Sequence, residues 1–140
     1  MITYFTEDSD FVFKGKLLNN RWLKMVAESE IKRIGDISII FCSDNYILDV
    51  NIKYLQHDYF TDIITFDYVE GDVISGDMMI SVDRVRENAK TFGVSFEREL
   101  HRVIIHGVLH LLGNGDKSEK EAKKMRSLED AALAVWDSLA

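Results

Sequence analysis

Two histidines, His106 and His110, stand four residues apart in the stretch SFERELHRVIIHGVLHLLGNGD, residues 95–116. On a helix that spacing stacks them one turn apart on one face, so both imidazoles can reach a single cation. Gly113 and Gly115 flank Asn114, a combination that stops a helix and reverses the chain. The reversal can carry the Asp116 carboxylate back over the histidines. Two nitrogens and one oxygen, with a fourth position left open, make the ligand count of a catalytic zinc site; a structural site is closed by four protein ligands. Val103, Ile104, Ile105, Val108, Leu109, Leu111 and Leu112 surround the pair, so this helix is buried on most faces. Buried imidazoles need partners, and one metal ion serves both.

Other side chains in the stretch are read differently. His101 precedes His106 by five residues, which places it off the shared face, and it is taken as a non-ligand. Zinc peptidases of the H-E-x-x-H type carry a glutamate base beside the first histidine. Gly107 occupies that position here, so a peptidase would lack its base on this helix. No catalytic side chain identifies itself apart from the ligands.

The elements that must hold this helix follow from periodicity. Ile2 to Thr6 is an opening strand, and Lys16 to Ile34 reads as a helix ended by Gly35, with Leu18, Trp22, Met25 and Val26 inward. The β-branched run Ile37 to Cys42 is a buried strand. Ser43 or Asp44 caps a helix over about Asn45 to Leu55, in which Asn51 needs a polar partner. Gln56 to Asp62, with Tyr59 and Phe60, is a loop. Strands at Ile63 to Phe66 and Gly76 to Ser81 pair antiparallel across a turn at Glu70-Gly71-Asp72. Ser81 caps a helix stopped by Gly93, and Ser95 caps the histidine helix. Ser118 to Glu121 is a capping box. It opens a final helix to about Leu139 with Ala122, Met125, Leu128, Ala132, Val135 and Leu139 as its apolar stripe. The order β, α, β, α, β, β, α, α, α implies an α+β (mixed α/β) fold. It has a small, roughly four-stranded mixed sheet with helices packed around it and the metal-binding helix at its centre.

Composition sets bounds. At 140 residues, 1–140 is read as one domain. No apolar run has membrane-spanning length and no leader pattern is present, so a cytoplasmic protein is expected. The lone cysteine, Cys42, has no internal disulfide partner and is read as a buried thiol. A formal charge of −7 argues against broad, sequence-independent affinity for nucleic-acid backbone, and no DNA partner is expected.

Residues 106–113, HGVLHLLG, with the turn that follows, resemble the YbeY family of bacterial metal-dependent endoribonucleases, whose motif is H-G-x-L-H-L-x-G-x-D-H. Asp116 stands where the family has its third histidine, which makes the site harder and more anionic. Asn51-Ile52-Lys53-Tyr54-Leu55 is similar to the family's N-x-x-[YW]-R, with Leu55 in place of the arginine. Thr61 to Phe66 resembles T-D-V-L-S-F, and Gly76 to Ser81 resembles G-D-I-x-I-S. The resemblance implies a single-strand-specific, zinc-dependent endoribonuclease that matures ribosomal RNA at the 3′ end of the small-subunit species and serves ribosome quality control. It implies His106, His110 and Asp116 as ligands of one divalent ion, most simply Zn2+. The small ribosomal subunit is the implied partner. Lys53 and His57 are the candidates for gripping substrate, His57 partly covering for Leu55. The strand Gly76 to Ser81 is expected to lie along the cleft with an open edge for extended substrate. The alternatives are a hydrolase of another substrate, such as a peptide, and a non-catalytic ribosome-assembly metalloprotein.

Overall fold

The computed structural model describes residues 1–57 and 61–140; Tyr59 and Phe60 of the expected loop lie outside the described residues. The chain runs β1 (Ile2–Glu7), α1 (Lys16–Ser29), β2 (Arg33–Cys42), α2 (Asp44–Leu55), β3 (Ile63–Asp67), β4 (Val73–Ser81), α3 (Val82–Phe92), α4 (Phe96–Leu111) and α5 (Glu119–Leu139). The element order is the one the periodicity predicts. The sheet order is β1-β2-β4-β3, with β1, β2 and β4 parallel and β3 antiparallel to β4.

Alternation along the strands divides the core in two. Ile37, Ile39 and Phe41 of β2, with Ile74, Met78 and Ile80 of β4, face a large cluster formed with α1, α3, α4 and α5. Cys42, Ile64 and Met79 face the other way and are covered by Ile47 of α2. Burial, reinforced by nearby carboxylates, pushes the Cys42 thiol up to about 12, so it is inert at neutral pH.

Several expectations are corrected. α1 ends at Ser29, not Ile34. The amides of Glu30, Ile31 and Lys32 close its last turn, Ile31 takes a left-handed φ of 58°, and Arg33 already pairs with Val73 in β4. Parallel pairing wins over the helical character of this segment. The inner face of α1 is Asn19, Trp22, Leu23, Val26 and Ala27; Met25 is 40% exposed and Leu18 only partly buried. β4 begins at Val73 rather than Gly76 and lies inside the sheet. Its edges are both paired, so the open edge beside the cleft belongs to β3. On α5 the buried face is Met125, Glu129, Ala132 and Leu133, and Ala122 is exposed.

Candidate metal centre

Ser95 caps α4 by accepting from the Arg98 amide, and Glu97 and Glu99 sit in its first turn, where carboxylates favour the positive helix end. Mid-helix, Gly107 lets α4 lie hard against the sheet. A Cβ there would stand 2.7 Å from Met78 Sδ and 2.8 Å from Ile63 Cδ1. Gly76 on β4 is the reciprocal contact, since its Cβ would meet Phe66 O at 2.4 Å and Leu111 Cδ2 at 2.9 Å. This approach brings the histidine face up to β3. It also explains why no glutamate base can follow His106: that position faces core.

The helix then reverses. Gly113 takes φ 97°, and the backbone and side-chain amides of Asn114 both donate to Leu109 O at 3.1 Å. Downstream, Ser118 and Glu121 form the predicted capping box of α5. Between these two fixed points Asp116 returns over the helix. His106 Nε2 and His110 Nε2 are 3.0 Å apart, and Asp116 Oδ2 is 3.2 Å from the first and 3.4 Å from the second. Ligand atoms in a tetrahedral zinc shell with bonds of about 2.0–2.1 Å stand roughly 3.3 Å apart, so the three atoms fit such a shell. Among the described residues this is the one His/Cys/Asp/Glu trio able to hold a metal ion.

A fourth side chain decides how His106 presents itself. Glu129 of α5 is 5% exposed, and its carboxylate accepts from His106 Nδ1 at 2.6 Å and from Arg102 Nη1 at 2.9 Å. The carboxylate keeps a proton on Nδ1, which leaves Nε2, facing Asp116 and His110, as the atom that would bind a cation. Burial works against charge on His106, but the bond to Glu129 and the charges of Glu129, Asp116 and Asp62 outweigh it and raise its pKa. Glu129 itself is lowered despite its burial, by His106 and Arg102. A cluster of acceptors converging on one point, with a histidine whose affinity for positive charge is raised, is chemistry that a cation satisfies.

Two cavities flank the trio and share Asp62, His106 and Asp116 as walls. The first, about 420 Å3, runs along the open edge of β3 past Thr61, Ile63, Thr65 and Asp67. The second, about 390 Å3, lies between α3, α4 and α5. Burial pushes the Asp62 carboxyl above the usual carboxylate range, against the pull of His106. Glu99 is raised too, by burial and then by Asp62. His101 points the other way, into Trp22 and Trp136, with ring centroids 5.6 and 4.0 Å away.

The structure thus brings His106, His110 and Asp116 together as expected and keeps His101 apart. Lys53 and His57 are exposed and line neither cavity. Sequence reasoning missed Glu129, Asp62 and Glu99. The spacing Met125, Glu129, Ala132, Leu133 was the available signal for Glu129, a carboxylate in phase with an apolar face.

Comparison with known proteins finds a family match over most of the chain. A family model described as Endoribonuclease YbeY matches residues 4–137. The chain is 54% identical over 134 residues to the Endoribonuclease YbeY of Parabacteroides distasonis, covering 96% of this chain and 94% of that one. It is 55% identical over 135 residues to the Endoribonuclease YbeY of Phocaeicola vulgatus, covering 96% and 98%. The solution structure of TM1509 from Thermotoga maritima is similar throughout, with TM-score 0.67, 31% identity, and 99% and 93% of the two chains covered.

Proposed function

The chain belongs to the YbeY endoribonuclease family, and from that premise we propose that it is a metal-dependent endoribonuclease of ribosomal RNA maturation. Its substrate is single-stranded, at the 3′ end of the small-subunit RNA and in defective ribosomes. It works in the cytoplasm on the small ribosomal subunit. No helix among the described residues is long and apolar enough to cross a membrane.

His106, His110 and Asp116 hold one divalent ion, which we assign as zinc. The observation that carries this reading is the triangle of two imidazole nitrogens and one carboxylate oxygen, 3.0–3.4 Å on a side, opening on a cavity along the β3 edge. When bound, such an ion supplies acidified water and polarises a phosphoryl oxygen. The chain's own residues do the rest. Glu129 fixes the tautomer and direction of His106. Asp62, with its raised affinity for a proton and a place in both cavities, is the side chain positioned to carry a proton beside the scissile phosphate. Thr61 and Thr65 line the cavity beside it, where backbone of an extended strand can lie. Exposed Lys53 and His57 contribute to substrate capture at longer range.

Purified protein carrying one zinc per chain should cut a single-stranded ribosomal RNA precursor. His110→Ala should fold, lose the metal and lose at least 100-fold in cleavage rate. Full cleavage by metal-stripped protein, or by this variant, would refute the assignment.

A further inference from the structure

The second cavity contains a side chain that no function so far uses. Glu99 lies on its wall at 5% exposure. Among the described residues its carboxylate has no hydrogen bond and no ion pair within 4 Å, unlike Glu129 beside it. Its oxygens are open to the cavity and feel the charges of Arg102 and Arg126, so N–H donors of a ligand would take the place of water there. The half-buried Asn88 amide lines the same space, and Phe92, 58% exposed, stands at its rim as an open aromatic face.

The chemistry of the walls restricts the occupant. Asp62, Asp116 and Glu129 add three carboxylates; of the two cations, Arg102 is bound to Glu129 and Asp130 at 2.9 and 2.8 Å and Arg126 lies 3.8 Å from Glu129. Four carboxylates against two guanidiniums make N–H donors better occupants of this cavity than a phosphate. A second cation lacks ligands, since no other trio of ligating groups converges among the described residues. Unstacked bases in single-stranded RNA are read on their Watson–Crick edges and stacked on aromatic rings. Only guanine offers two adjacent donors on that edge, N1–H and the N2 amino group, which match the two oxygens of one carboxylate. Glu99 and His106 are seven residues apart, about 10 Å along the helix axis, so a base in this cavity belongs to a nucleotide next to the phosphate at the metal centre.

We propose that this cavity binds a guanine base of single-stranded RNA, held by Glu99 and stacked on Phe92, and so sets the sequence preference of the nuclease. The proposal rests on the endoribonuclease reading, but its test does not need cleavage. Metal-free protein is titrated with fluorescent five-nucleotide RNAs, uridine throughout except for one central guanosine, inosine or adenosine, and separately with GTP. The guanosine RNA should bind roughly tenfold tighter than the inosine RNA, which lacks the N2 amino group. GTP should bind more weakly than the guanosine RNA. Glu99→Gln, which presents one donor and one acceptor, should abolish the preference for guanosine over adenosine. Phe92→Ala, at an exposed site that leaves the core intact, should weaken all three RNAs. Equal binding of the three RNAs, an unchanged preference in Glu99→Gln, or GTP binding as tightly as the guanosine RNA would overturn the proposal. Metal-dependent RNA cleavage with equal binding would sink this inference alone. Guanosine-selective binding without any cleavage would sink the nuclease reading and leave the base pocket standing.

Discussion

At the scale of single residues, a carboxylate 23 positions away from His106 decides which of its nitrogens is available. Glu129→Gln can still hold the ring by its side-chain oxygen but removes the charge. Zinc affinity measured against a competing chelator should fall about 10- to 100-fold, with the fold intact by circular dichroism; unchanged affinity would show that Glu129 merely fills space. His101 gives a separate, pH-dependent prediction. Burial, and then the charge of Arg98, lowers its pKa to about 4 from 6.5. Between those values the unfolded chain binds the extra proton, so His101 favours the fold fully above pH 6.5. That contribution is lost as pH falls to about 4. With screening on its open side this is on the order of 1–2 kcal/mol. In His101→Phe the slope of unfolding free energy between pH 6.5 and 4 should flatten, and a slope equal to the parent's would contradict it. The trio was legible in the sequence because 106, 110 and 116 are joined by one helix turn and one chain reversal. Glu129 and Glu99 were not, because their roles come from the docking of α5 and α3 against α4.

At the scale of elements, α4 sits where it does because two glycines let it approach the sheet. They are unequal. The Gly107 Cβ would meet the movable ends of Met78 and Ile63, whereas the Gly76 Cβ would meet the Phe66 carbonyl at 2.4 Å, in the backbone that pairs β3 with β4. Gly76→Ala should therefore cost more than about 3 kcal/mol in urea unfolding. Gly107→Ala should cost about 1–2 kcal/mol, its overpacking being offset by better helix propensity. The reverse order would mean the helix, not the hairpin, sets the tolerance. Element identity and order were readable throughout, since apolar period and capping residues are local signals. The junction of α1 and β2 was not, because Arg33 joins a strand only through Val73, forty residues on.

At the scale of the whole molecule, a net charge of −7 and a candidate metal site walled by carboxylates leave few cations to grip RNA phosphates. The salt dependence of single-stranded RNA binding should be shallow, with log K against log salt no steeper than about −2, equivalent to roughly three phosphates. A slope near −5 would reveal a basic track that the charge balance hides. Strand order was beyond sequence reading, and with it the identity of the edge strand: β4 looked peripheral until both its sides were seen to be paired. Trp22 of α1 donates its indole N–H to Ala132 O of α5 at 2.8 Å, and Glu129 lies one turn before that carbonyl. One helix thus both seals the indole of α1 and aims the imidazole of α4, so a shift of α5 along its axis would disturb core and candidate metal centre together.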